Sequence, residues 1–159
     1  MAYKVTILMG SDSDLPVMRQ AADELERFGV GHRMTVASAH RTPEHVRDTI
    51  RQAEEDGVRV FICGAGGAAH LAGAVAALTV CPVIGVPLGS KLSGFDSLLS
   101  TAQMPKGVPV ATVAVDGAAN AGILAVQILA VSDAKLAQAL RKDKQSMAQK
   151  VLEKAKNLA

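Results

Sequence analysis

The sequence predicts a doubly wound, parallel α/β sheet, and three observations carry that reading. Short runs rich in Val, Ile and Leu alternate with segments of helical period, as where Val5-Thr6-Ile7-Leu8-Met9 precedes Val17, Ala21, Leu25 and Phe28. Glycine or serine follows several of the apolar runs, marking turns between strand and helix. Hydrophobic residues make up 49% of the chain but aromatics only 3%, so the core has to be close-packed aliphatic side chains. At 159 residues the chain suits a single domain over 1–159, ending in a basic helix over 133–159.

Taken in order, the run 5–9 reads as a strand buried on both faces and stops at Gly10. Within Gly10-Ser11-Asp12-Ser13-Asp14, Ser13 or Asp14 is expected to cap the first helix, with Pro16 in its opening turn and Gly29 beyond its end. A second strand is expected over 33–37. Thr42 then stands where it can cap a second helix, and Pro43 at the first helical position, where a missing N–H costs nothing. Val46, Ile50 and Ala53 give that helix its apolar face, and Gly57 ends it. The third strand is read over 58–63, followed by a glycine-rich turn and a helix of small residues reaching about position 80. Strands over 82–86 and 108–115 enclose a long irregular segment, 88–106, with a short helix after Asp96; such segments are commonly functional. An Ala-rich helix spans 118–131. The last helix carries a thin apolar stripe of Leu136, Leu140, Met147, Val151 and Leu158, suited to its own domain or to a neighbouring subunit.

Composition removes several classes of function. A formal net charge of +2 gives no case for nucleic acid, and seven of the 17 basic residues but three of the 15 acidic ones lie in 133–159, as on a solvated helix face. No run of about 18 apolar residues is free of breaks, so no membrane span is expected. Met1-Ala2-Tyr3-Lys4 leads into the first strand without a secretory pattern. Cys63 and Cys81 read as reduced core residues, which fits a cytoplasmic protein.

The chemistry concentrates at Ser38-Ala39-His40-Arg41-Thr42-Pro43, at the carboxyl end of the second strand. That edge is where open α/β sheets bind ligands. Histidine moves protons near neutral pH, and arginine grips a phosphate with a planar fork. Gly10-Ser11 before a helix start is an anion site, to which Ser11 and Ser13 add hydroxyls while Asp12 and Asp14 suit sugar hydroxyls. Gly64-Ala65-Gly66-Gly67 offers a second backbone cradle. It is not a P-loop, having no Gly-Lys-Ser/Thr, and Ala69 and His70 break the dinucleotide fingerprint. Several such loops on one edge point to a small phosphorylated ligand.

His40 and His70 each follow a strand end and can face each other, His40 for proton transfer and His70 for a positioning hydrogen bond. A metal held by the pair is the lesser alternative, since no further ligand cluster accompanies it. His32 and His45 read as surface residues. Cys63-Gly64 stands where a phosphoacceptor signalling domain would carry Asp, and Phe95 is the one aromatic in a strand-end loop, too few for a flavin site.

These motifs, together with Asp96-Ser97-Leu98 and Gln103-Met104-Pro105 ahead of Gly107-Val108-Pro109-Val110, resemble the N5-carboxyaminoimidazole ribonucleotide mutases of de novo purine synthesis, over 5 to about 131. The resemblance implies a flavodoxin-like three-layer αβα subunit in a homo-octamer, with sites at subunit junctions. It implies transfer of a carboxylate from the exocyclic N5 of a nucleotide substrate to ring C4, with no metal, ATP or organic cofactor, and no nucleic acid or membrane partner. By residue it places Ser11, Ser13 and Arg41 at the phosphate and Asp14 at the ribose. Ser38 and the backbone of Gly64, Ala65, Gly66 and Gly67 fall at the base and carboxylate. His40 becomes the proton carrier, with His70 close by. A related carboxylase takes free CO2 instead; Arg41 and Gly66-Gly67-Ala68-Ala69-His70 favour the mutase. A module that merely holds the nucleotide needs the same contacts, and His40 argues against it. The chain departs from the family at Ala72, where Pro is frequent, and in shorter loops over 88–94 and 115–118.

Overall fold

The computed structural model describes residues 3–157. Five parallel strands, β1 (Val5–Met9), β2 (His32–Val36), β3 (Val60–Gly66), β4 (Val83–Leu88) and β5 (Ala111–Thr112), stand in the order β2-β1-β3-β4-β5. Helices α1 (Leu15–Arg27), α2 (Pro43–Glu55), α3 (Leu71–Ala76), α4 (Phe95–Ala102), α5 (Ala118–Ala130) and α6 (Ala134–Lys156) complete the chain. That strand order is the flavodoxin-like one, and it puts the switch point between β1 and β3.

The period of two along β1 assigns its faces. Val5, Ile7 and Met9 pack with α1, α5 and the start of α6, whereas Leu8 packs with α2 and α3. Two glycines set how closely the layers meet. A β-carbon on Gly64 would fall 2.3 Å from the Met18 sulfur, and one on Gly122 would fall 2.6 Å from the Ala21 carbonyl. Both are closer than any real contact, so α1 reaches the sheet and α5 at distances only glycine permits. Ala118, Ala121, Gly122 and Ala125 are buried here, so the small-residue face of α5 is used within the chain.

Some local readings need correction. Asp14 stands at the N-cap of α1, as expected of it, but makes no side-chain cap there: a turn of 3-10 helix over Asp12–Asp14 comes first, with Ser11 as its cap. The Ser11 hydroxyl accepts the Ser13 N–H at 3.4 Å, and the Asp14 carboxylate accepts the Ser11 N–H at 3.0 Å. Thr42 precedes α2 but its hydroxyl turns back, accepting the Ser38 N–H and donating to the Ser38 carbonyl. Ahead of Pro82, α3 stops at Ala76, because the Thr79 hydroxyl accepts the Cys81 N–H and donates to Glu54, pulling the chain out of helix. β5 is two residues long, after Pro109, which has no N–H to give a ladder. The first half of α6 lies on its own domain. Leu140 is buried and Asp143 pairs with Arg27 at 2.5 Å, whose guanidinium lies over Phe28. Farther along, Met147 and Val151 are exposed, and Leu158 lies outside the described residues. Cys63 is buried, which pushes its thiol up, and both cysteines are free. Among the described residues, no helix is long and apolar enough to cross a membrane.

The Thr6 hydroxyl, fully buried in β1, has no hydrogen-bond partner. An unpaired buried hydroxyl costs more than the methyl that could replace it. Thr6→Val should therefore raise the unfolding free energy by about 1 kcal/mol in denaturant titration. A loss of stability would show that this hydroxyl has a partner after all.

Candidate active site

The centre of the site is a contact between two imidazoles. His40 follows β2 and His70 follows β3, and their Nε2 and Nδ1 atoms stand 2.8 Å apart. The rings meet edge to face, with centroids 4.9 Å apart and planes at 82°. One nitrogen donates and the other accepts, so the contact holds a single proton.

Local chemistry brings them there. After β2, the Ser38–Thr42 exchange of hydrogen bonds closes a turn, and the Ser38 hydroxyl also accepts the Arg41 N–H at 3.2 Å. His40 is thereby held at the crest of the turn. After β3, Gly67 takes a left-handed φ of +60°, which bends the chain so that His70 heads α3. Between these loops lies the end of β1, where Gly10 brings no side chain.

The cavity around the pair measures about 410 Å³ and is lined by Gly10, Ser11, Asp14, Ser38, Arg41 and Gly66, with Ala39, Ala65, Ala68 and Leu71 filling its apolar parts. The Arg41 guanidinium arches over the sheet edge, donating to the Gly10 carbonyl at 2.8 Å and to the Ser38 hydroxyl at 3.4 Å. On its far side a second hollow of about 500 Å³ opens, sharing Gly10, Ser11, Ser38 and Arg41 and adding Asp12, Val36, Thr42 and His45. Partial burial raises the Asp14 carboxyl above the ordinary aspartate range, against the lowering effect of its hydrogen bonds with the Ser11 and Gly10 backbone.

Most of the residues singled out in the sequence gather here: Ser11, Asp14, Ser38, His40, Arg41, Ala65, Gly66 and His70 all line the first cavity. Three do not. Ser13 sits one step back, donating to the Ser11 hydroxyl at 3.0 Å. Gly64 is buried against Met18, and Gly67 shapes the turn without lining the cavity. His45, read as a plain surface residue, borders the second hollow. Its position at the third residue of α2, one helical turn past the His40 turn, was the available signal. His32 is half-buried, with Nδ1 3.3 Å from the Val30 carbonyl. Among the described residues no three His, Cys, Asp or Glu side chains are grouped as metal ligands would be.

Comparison with known proteins adds a lineage to this geometry. A family model described as AIR carboxylase matches residues 4–150. The chain is 57% identical to the N5-carboxyaminoimidazole ribonucleotide mutase of Pyrococcus horikoshii, over 97% of this chain and 88% of that protein. It is 55% identical to the mutase of the same name from Thermotoga maritima, over 98% and 91%. Its backbone superposes on the crystal structure of Treponema denticola PurE with a TM-score of 0.91 at 32% identity, over 98% of both chains. With nearly the whole length matched and two relatives more than half identical to it, the chain belongs to the AIR carboxylase family.

Proposed function

We propose that this protein is an isomerase of purine biosynthesis that moves the carboxylate of N5-carboxyaminoimidazole ribonucleotide from N5 to C4, with His40 as general acid and base. The observation that carries the reading is the His40–His70 contact, set in a cavity bounded by an arginine and a glycine-lined sheet edge.

The substrate must be held at three points. Arg41 uses Nη2 and Nε on the Gly10 carbonyl and Ser38 hydroxyl, which leaves Nη1 for the phosphate, beside the hydroxyls of Ser11 and Ser13. Asp14 has one oxygen committed to the Ser11 N–H and a second for a ribose hydroxyl. Ser38 and the Ala65–Gly66 backbone then face the base and its carboxylate.

The reaction needs one proton moved twice. When the N5–carbon bond breaks, its electron pair stays on N5, which takes a proton from His40. The C4 carbon then attacks the CO2 so released, and as the new C–C bond forms the C4 proton passes to His40. No proton is gained or lost overall, so one histidine completes the cycle. His70 supports it by sharing the hydrogen bond that orients the imidazole. Small lining residues keep CO2 next to C4, where proximity replaces a dilute encounter.

The same reading includes a homo-octamer in the cytoplasm. Exposed Leu92, Phe95 and Leu99 around α4 and Met147, Val151 and Leu152 on α6 supply apolar surface for subunit contacts, and free cysteines suit a reducing compartment. Light scattering at micromolar concentration should report an assembly far larger than a monomer.

The purified protein should convert the N5-carboxylated nucleotide without added bicarbonate. His40→Asn should cut turnover by about 10²–10⁴-fold while nucleotide still binds. Arg41→Ala should weaken binding by about 2–3 kcal/mol in calorimetry, with Arg41→Lys restoring only part, since an ammonium has no fork. Turnover of His40→Asn above a tenth of wild type would remove the proton role. Equal affinity for Arg41→Ala and wild type would remove Arg41 from the phosphate.

A further inference from the structure

We propose that Asp116, which does not line the cavity and whose hydrogen bonds go to Pro87 and Gly89, is a positioning residue that holds the end of β4 as a rigid wall behind Gly66. The proposal rests on the reading above that puts the Ala65–Gly66 backbone at the migrating carboxylate.

Asp116 lies in the loop between β5 and α5 with a left-handed φ of +56°. Side chains avoid that conformation, and it persists where surrounding contacts over-determine it. Here two contacts do so, both to the end of β4. The Asp116 N–H donates to the Pro87 carbonyl at 2.8 Å, and its carboxylate accepts the Gly89 N–H at 2.8 Å. Between those two points the Leu88 carbonyl accepts the hydroxyl of Ser97, a buried residue of α4, at 2.7 Å. Three consecutive residues leaving β4 are thus each tied down. The α4 entry is tight against the same loop, for a β-carbon on Gly94 would fall 2.5 Å from the Val115 side chain.

What this frame supports is Gly66. Leu88 pairs in register with Gly66, and a β-carbon there would lie 3.7 Å from both the Leu88 and the Gly89 carbonyl oxygens. The β4 end is thus the ladder neighbour of Gly66, whose backbone lines the cavity. Remove the Asp116 carboxylate and Gly89 keeps no side-chain tie, so the Gly66 peptide gains room to shift. CO2 carries no charge to anchor it, so its alignment with C4 depends on wall shape, and a loose wall slows transfer more than it weakens nucleotide binding.

The decisive variant is Asp116→Gly, which keeps the left-handed backbone without strain but removes the acceptor. We expect its thermal midpoint to stay within about 3 °C of wild type. Its kcat should fall about tenfold or more with KM changed less than about threefold, and amide exchange over 64–68 should quicken. Asp116→Asn keeps an acceptor oxygen and tolerates the left-handed region, so it should recover most of the lost rate and the slow exchange. Wild-type kcat and wild-type exchange in Asp116→Gly would overturn the proposal. So would a rate loss that only follows loss of folded protein, or one that Asp116→Asn fails to relieve. If the wild-type protein itself does not turn over the nucleotide, the assigned reaction fails, and exchange over 64–68 in the two variants still decides the role of Asp116.

Discussion

The His40–His70 contact spans a strand that contributes neither residue. β1 lies between β2 and β3, so the two parent strands stand roughly 10 Å apart, two strand spacings. A hydrogen bond across that gap requires both loops to lean inward over the β1 end. Each has its own device: the Ser38–Thr42 clasp on one side and the left-handed Gly67 on the other. It also requires the β1 end to stay low, and Gly10-Ser11 is followed at once by a tight 3-10 turn that carries the chain away into α1. Arg41 closes the arch by resting on the Gly10 carbonyl. Sheet order, turn chemistry and the proton-sharing pair are therefore one arrangement, and disturbing the sheet edge separates the histidines.

The parts of the site differ in how firmly they are held. The floor is backbone, laid down by strands whose side chains fill the two cores, and it is placed by the sheet itself. The Asp116 and Ser97 ties extend the same stiffness to the rim beyond β4. Arg41 is exposed and its partners are an open carbonyl and a hydroxyl, contacts a phosphate can replace at little loss. A stiff wall toward the carboxylate and an adjustable cation toward the phosphate suit a reaction in which one end of the ligand must be gripped while the other changes its bonding.

Much of this was legible in the sequence because it is local. The bounds of β1 follow from a run that is apolar except for Thr6, and Pro43 marks the first residue of α2 as its fixed φ dictates. The convergence of His40 with His70 followed from placing both at strand ends on one edge. What stayed hidden depends on partners distant in sequence. Thr42 has the form of a helix cap, but its hydroxyl is taken up by Ser38, accepting that residue's N–H and donating to its carbonyl. Gly64 looked like part of a ligand cradle, and its lack of a side chain is instead required by Met18 on α1. The Ala-rich composition of α5 did not say what its small face meets; α1 and the sheet cover it. Asp116 carried no signal at all, because its meaning lies in Gly89, on a different loop.

In the proposed reaction the carbon lost from N5 is the carbon gained at C4, held in one site between the two events. This is tested most directly by giving the purified protein a nucleotide labelled with carbon-13 in the N5 carboxylate, in buffer containing unlabelled bicarbonate, and weighing the product during early turnover. Retention of nearly all the label in the C4 carboxylate is the predicted result. Product that carries the buffer's unlabelled carbon from the first turnovers would contradict it, and would make the protein a carboxylase that captures CO2 from solution.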